Sequence, residues 1–151
     1  MKRRKKLFII LGIVLTCVGA IAWYVYKEYN RVHEDTANLE PDYSISAVQL
    51  IKDFESNEKS SNEKYWNKVI RVEGMVKDVR PDDRGFYSVV LGDTASMSSV
   101  RCSMDSVHNK DAAALEKGAV AMMKGICTGF NADELLGSDV ILVRSVVEIK
   151  K

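Results

Sequence analysis

Val69-Ile70-Arg71-Val72-Glu73-Gly74-Met75-Val76-Lys77-Asp78-Val79-Arg80 runs directly into Pro81-Asp82-Asp83-Arg84-Gly85. The first stretch alternates, placing Ile70, Val72, Gly74 and Val76 on one face, which is the period of a strand with one buried side. A glycine inside such a strand marks a bulge or a sharp bend. The second stretch is a turn: proline fixes φ, aspartate tolerates turn conformations and glycine supplies positive φ. A long, bent strand that ends in a tight turn belongs to a strongly curved sheet.

Working outward from this strand, more strands follow. Phe86 to Leu91 is the second, with Tyr87, Val89 and Leu91 inward. Gly92 to Ser99 is a Ser/Thr-rich loop, and Val100 to Met104 is a short third strand with Val100, Cys102 and Met104 inward. Asp111 to Lys117 reads as a short helix, capped by Asp111 and ended by Gly118. Ala119 to Phe130 is a fourth strand with Gly125 in its middle, Asn131 to Asp139 a loop, and Val140 to Ile149 a β-branched fifth strand. Upstream, Ser46-Ala47-Val48-Gln49 is a helix start, with Ser46 as cap and Gln49 placed to reach back to its amide. Val48, Leu50, Ile51 and Phe54 give that helix an apolar face, and it fades at Ser56-Asn57. Glu58 to Lys68 is polar apart from Tyr65 and Trp66.

The order helix, three strands, helix, two strands is the connectivity of an OB-fold, a small Greek-key barrel. The fold expected is therefore mainly β: a five-stranded OB-fold barrel with a preceding helix and a short helix between strands three and four. Two mid-strand glycines suit it, because long strands in a small barrel bend sharply.

The first residues add a second expectation. Lys2-Arg3-Arg4-Lys5-Lys6 is a basic run, and Leu7 to Tyr26 carries no charge. About twenty apolar residues are what a helix needs to cross a bilayer. Trp23, Tyr24 and Tyr26 lie at the far end, where aromatic rings favour the lipid-water boundary. The positive-inside bias places the N-terminus in the cytoplasm and residues 27–151 across the membrane. The domains expected are a basic tail at 1–6, a transmembrane helix at 7–26, a juxtamembrane stalk at 27–44 and the barrel at 45–151. A signal peptide cleaved at Ala20-Ile21-Ala22 is the alternative, but Trp23-Tyr24-Val25-Tyr26 carries the apolar run past that site. A lipid-modified Cys17 would follow Val14-Leu15-Thr16, where a small residue is expected in place of Thr16.

The chain has 22 Lys and Arg, 21 Asp and Glu, and net charge +1. Without the basic tail, 17 cations face 21 acids, so the exported part carries −4. Its loops are acidic too: Asp82 and Asp83 in one, Asp133, Glu134 and Asp139 in the other. A single-strand binder needs a positive groove and stacking aromatics. Phe86, Arg101 and Arg71 are the only outward candidates for a ligand face, and nucleic acid is not the ligand expected. Cys102 and Cys127 are a candidate disulfide in an oxidising compartment, with two buried thiols as the alternative.

No phosphate loop, nucleophile elbow or metal-ligand spacing is present. His33 in the stalk and His108 after the third strand read as exposed polar residues, and Asp82-Asp83 as turn formers. No enzyme, no cofactor and no metal are expected.

Asn57-Glu58, Asn62-x-Lys64-Tyr65 and Lys68-Val69-Ile70-x-Val72-x-Gly74-x-Val76 resemble the opening of the tRNA_anti-like OB-fold family. Lys117-Gly118 with Lys124-Gly125-x-Cys127-Thr128-Gly129 is similar to its second block, and Val140-x-Leu142 to its last strand. The resemblance covers residues 45–149. It implies a membrane- or lipid-anchored bacterial protein, of a kind common in Bacteroidetes, with no defined activity. Two departures stand out: Asn67 where the family tends to have Gly, and Ser145 where it often has Cys.

The function expected is a non-catalytic envelope binding module, anchored in the cytoplasmic membrane with its barrel periplasmic, for an unknown protein, peptide or small ligand. The alternatives are a single-stranded nucleic-acid or tRNA binder and a scaffold subunit of an envelope complex.

Overall fold

The computed structural model describes residues 2–29, 35–133, 135 and 137–148, with side chains described from residue 13 onward except at residue 28. His33 and Glu134 of the sequence reading, and the last residue of its fifth strand, lie outside them. The chain divides into two units, Met1–Glu34 and Asp35–Lys151.

In the first unit, α1 spans Lys2–Tyr29, beyond the expected 7–26 at both ends. Every side chain described in it is exposed. Among the described residues no helix is long and apolar enough to cross a membrane, so the expected transmembrane helix is not found there. Side chains 7–12, the first part of the expected span, lie outside the described ones.

The second unit begins at Asp35, ten residues ahead of the expected barrel start. A 3-10 turn at Thr36–Asn38 is capped by Asp35, whose side chain accepts from the Ala37 amide. Lys124, 4% exposed, donates through Nζ to the Ala37 and Leu39 carbonyls at 3.0 and 2.9 Å. Strand β1 (Tyr43–Ser46) then pairs in parallel with residues 70–73. The expected stalk is thus part of the domain from residue 35 onward. Its four-residue strand is too short for alternation to show.

Helix α2 (Ala47–Ser56) follows, and its cap is the one expected: Ser46 Oγ accepts from the Gln49 amide at 3.2 Å. The Gln49 side chain does not reach back. It donates to Asp53 at 2.8 Å. Ala47, Leu50, Ile51 and Phe54 are buried, whereas Val48 is exposed. Helix α3 (Glu58–Tyr65), read from sequence only as a polar stretch, is capped by Asn57, which accepts from Ser60 N. It buries only Ser61 and Tyr65, so no apolar period announces it. Asn67, at φ 57°, supplies the left-handed turn that leads into the barrel.

Five strands make the barrel: β2 (Val69–Pro81), β3 (Tyr87–Leu91), β4 (Ser99–Met104), β5 (Val120–Asn131) and β6 (Asp139–Glu148). The sheet order is β1-β2-β3-β4-β6-β5, and β5 also pairs with β2, which closes the ring. Strand β2 serves two neighbours. Residues 69–75 pair with β5 and residues 76–81 with β3. Gly74 lies just before that handover. A Cβ built there would stand 2.8 Å from Ala47 Cβ and 3.3 Å from Leu91 Cβ, so the missing side chain is what lets α2 sit against the barrel. Ile70, Val72, Val76, Val89, Leu91, Val100, Met123 and Leu142 fill the interior, and Phe54 of α2 stacks on Phe130 at 5.2 Å. The short helix expected at 111–117 is instead a 3-10 turn at Asn109–Ala114, tied to β3 by Asn109, which accepts from the Tyr87 amide at 2.7 Å.

Cys102 and Cys127 are free and buried. The register shows why they are not bridged. Leu142 of β6 pairs with Cys102 on one side and Cys127 on the other. The two cysteines are therefore two strand spacings apart, roughly 9–10 Å. A disulfide needs Cα atoms closer than about 7 Å.

Candidate ligand-binding face

The site is set by a bulge. In strand β2 the register against β3 shifts between Val76 and Asp78, so Lys77 is an extra residue. Beyond the bulge the alternation is reversed relative to a regular strand. Val79 turns inward, and Asp78 and Arg80 lie opposite Val90 and Ser88 on the outer face. On β4, Arg101 is directly opposite Val90. These residues form an open cleft of about 300 Å³ on the outer face of β2, β3 and β4. Lys77, Arg80, Arg101 and Lys117 line it, with Asp78, Ser88, Ser99, Val90 and Met97.

Three of the cations have partners in the fold. Arg101 Nη2 donates to Asp139 at 2.7 Å. Arg80 pairs with Asp78. Lys77 Nζ donates to the Ser96 and Ser98 carbonyls at 2.6 and 3.1 Å, which pins the β3–β4 loop over one end of the cleft. Asp139 also accepts from Ser99 Oγ. Lys117 is exposed and comes from the turn before β5, where Gly118 has φ 88°.

Of the three residues the sequence proposed, Arg101 lines this cleft. Phe86, 41% exposed, lies in the turn just before β3 and is not among the residues lining the cleft. Its amide, like that of Arg84, donates to Asp82 Oδ1 at 2.8 Å, which shapes the hairpin turn. Arg71 is not brought to them. It lies in the first half of β2, which pairs with β5, whereas Lys77 and Arg80 lie in the half that runs along β3.

Arg71 binds Glu148 through both Nε and Nη2, the latter at 3.1 Å. Lys124 approaches the same carboxylate at 3.0 Å. The hydrogen bonds from Arg71, with help from Lys124, hold Glu148 below the usual carboxylate range. Glu148 and Glu73 rim a groove of about 370 Å³ floored by Leu115, Val120, Met122 and Val147.

His108 is not the free exposed residue expected. Its Nε2 stands 2.9 Å from Asp35 and its Nδ1 3.4 Å from Asp111. The hydrogen bond with Asp35 raises its pKa above the ordinary histidine range. Among the described residues no group of three or more His, Cys, Asp and Glu is placed to hold a metal.

A closed five-stranded barrel with this strand order is an OB-fold. The sequence matches the tRNA_anti-like family over residues 1–146, and the chain belongs to that family. A crystal structure from Klebsiella pneumoniae, of a protein whose name proposes a nucleic acid-binding lipoprotein, has TM-score 0.54 at 20% identity. It covers 79% of this chain and 100% of its own. That likeness establishes the fold. An asparaginyl-tRNA synthetase of Entamoeba histolytica matches at 13% identity and TM-score 0.36, over 56% of this chain and 21% of the synthetase. No curated protein matches the sequence.

Lys77, Arg80 and Lys117 were missed from sequence. Strict alternation from Val76 would point Arg80 into the core, and only the bulge reverses it. Lys117 is remote in sequence and joins the cleft through barrel closure.

Proposed function

We propose that this chain is a non-catalytic OB-fold binding module of the bacterial envelope that takes its ligand across the outer face of β2–β4. The cleft lined by Arg101, Arg80, Lys77 and Lys117 carries this reading. Its lining contains no imidazole, and its one carboxylate, Asp78, is paired with Arg80. That composition favours binding over acid-base chemistry. The N-terminal helix is read as the anchor, with its basic end in the cytoplasm. The support is the charge-free run Leu7 to Tyr26 behind five basic residues. The exposure of apolar side chains around the described part of α1 adds to it, since a helix apolar on all sides calls for an apolar surround.

The test is affinity purification of the full chain from detergent-solubilised membranes beside a variant carrying Arg101→Glu and Lys117→Glu. A ligand or partner recovered with the native chain and lost with the variant supports the reading. One retained by both places binding elsewhere on the domain.

Single-stranded nucleic acid is the second reading, favoured by the four cations of the cleft and by the name of the Klebsiella protein. Its test is fluorescence anisotropy with labelled oligonucleotides and residues 27–151, because the basic tail would bind polyanions by itself. The first reading expects nothing tighter than the non-specific range of about 10⁻⁴–10⁻⁶ M at physiological salt. Nanomolar binding lost with Phe86→Ala or Arg101→Ala would put the second reading first.

A further inference from the structure

The charge around the cleft narrows the chemistry of what it can take. Residues 35–151 carry 15 Lys and Arg against 19 Asp and Glu. Four of those 15 cations nevertheless line one cleft, against two carboxylates: Asp78, paired with Arg80, and Asp139 at its border, paired with Arg101. A concentration of positive charge inside a net-negative unit creates a local field that composition does not predict.

The donors are held in place and have capacity left over. Lys77 Nζ has three N–H bonds and uses two on the Ser96 and Ser98 carbonyls. The guanidinium of Arg101 has five, of which one is directed at Asp139. Fixed donors with unused hydrogen-bond directions suit an incoming oxyanion, because little side-chain freedom remains to be lost on binding.

The surroundings limit the size of that anion. The cleft's two β2 and β3 rim residues, Arg80 and Ser88, are followed at once by the turn that holds Asp82 and Asp83. Along β4 its border is Asp139. A strand of phosphates continuing past either border meets carboxylates, so each phosphate beyond the cleft gains repulsion. The volume of about 300 Å³ is that of a small-molecule site, at the lower end of the usual range.

The geometry points to a compact phosphate-type anion as the ligand: one phosphate or diphosphate group, on a soluble molecule or a lipid headgroup, rather than a nucleic-acid strand. This rests on the β2–β4 face being the binding site.

The experiment uses the full ¹⁵N-labelled chain in phosphatidylcholine nanodiscs, read by amide shifts. The probes are pyrophosphate, glycerol 3-phosphate, and thymidine oligonucleotides of four and sixteen residues. Pyrophosphate is expected to shift the Ser88, Val90 and Arg101 amides saturably. Lys117→Gln, an exposed change outside the barrel strands, should weaken it by about fivefold or more, the effect of removing one charge-assisted hydrogen bond. Arg101→Gln should weaken it further. The longer oligonucleotide should bind no more tightly than the shorter. Nanodiscs containing phosphatidylglycerol separate the sources. Cleft shifts that appear without added phosphate identify the headgroup, and shifts that need the soluble probes identify a free anion. Oligonucleotide affinity rising about tenfold or more with length, at the same amides, overturns the compact-anion inference and leaves the site reading intact. Probes that move no cleft amide overturn the compact-anion inference; the site reading is overturned separately, when a ligand co-purified with the native chain is retained by the variant carrying Arg101→Glu and Lys117→Glu.

Discussion

Gly74→Ala tests whether this barrel is built around the contact between β2 and α2. The added methyl would stand 2.8 Å from Ala47 Cβ and 3.3 Å from Leu91 Cβ. Both neighbours are first side-chain atoms fixed to backbone, so neither can swing away. Overpacking of this kind costs about 1–3 kcal/mol. Replacing glycine stiffens the unfolded chain, which offsets about 0.4–1 kcal/mol. The net loss should be about 1–2 kcal/mol, or a Tm lower by about 4–8 °C for a unit of this size. Urea unfolding of residues 35–151, with unchanged m-value, is the measurement. The cause is isolated by Ala47→Gly. Alone it should destabilise, through a lost buried methyl and a poorer helix residue. In the Gly74→Ala background it removes the atom that clashes, so the double variant should be more stable than additivity predicts by about 1 kcal/mol. Additive losses, or a Gly74→Ala variant as stable as the native unit, would refute the claim that Gly74 exists to admit α2.

The pair His108 and Asp35 should make stability depend on pH in a defined window. His108 is raised by its hydrogen bond to Asp35, with Asp111 adding to it, so its contribution is full below the ordinary histidine range and is lost as pH rises through the raised value. Asp35 is lowered by its bond to His108, with the Ala37 amide adding, so its contribution holds above the ordinary carboxylate range and is lost as pH falls through the lowered value. The stability difference between native and His108→Gln should therefore be largest between about pH 4 and 6.5 and shrink above; a difference constant from pH 5 to 9 would exclude the pair. Burial pushes the Cys102 thiol up to about 12 and the Cys127 thiol up to about 11. Both should resist a thiol reagent at pH 8 in the folded unit and react in denaturant, and an intact mass two daltons low would instead reveal a bridge. For the proposed anchor, mass spectrometry of the mature protein should retain Leu7 to Tyr26, and protease added to spheroplasts should digest beyond Lys27; a mature N-terminus at Trp23 would remove the anchor from the reading.

The barrel strands were legible in the sequence because each carries its own signal. The alternation Ile70, Val72, Val76 is the inward set, and the turn Pro81–Gly85 lies between β2 and β3 as its chemistry requires. Asn67 keeps a left-handed turn without glycine, as its short polar side chain allows. The elements that escaped lack a local signal. The strand β1 has four residues, and its partner is the start of β2, beyond two intervening helices. The helix α3 is held by the Asn57 cap and by Tyr65, whose hydroxyl donates to Asp53 at 2.7 Å, and neither contact is periodic.

The candidate site was legible only where position in a regular strand decides the outcome. Arg101 faces outward because β4 alternates without interruption through Val100, Cys102 and Met104. Arg80 does so because one extra residue at Lys77 reverses the phase of the second half of β2, an event fixed by pairing with β3 and invisible along the strand. The same shift explains why the cleft's charge was not legible in the sequence. Counting charges gave an acidic domain with acidic loops, and that count is correct. It cannot report that the bulge and the closure of β5 onto β2 gather Lys77, Arg80, Arg101 and Lys117 at one cleft. Net charge governs long-range attraction between whole molecules. Binding at the cleft is governed by charges within a few ångströms, where screening is least. A domain of charge −4 can therefore repel a long polyanion and still hold one compact anion.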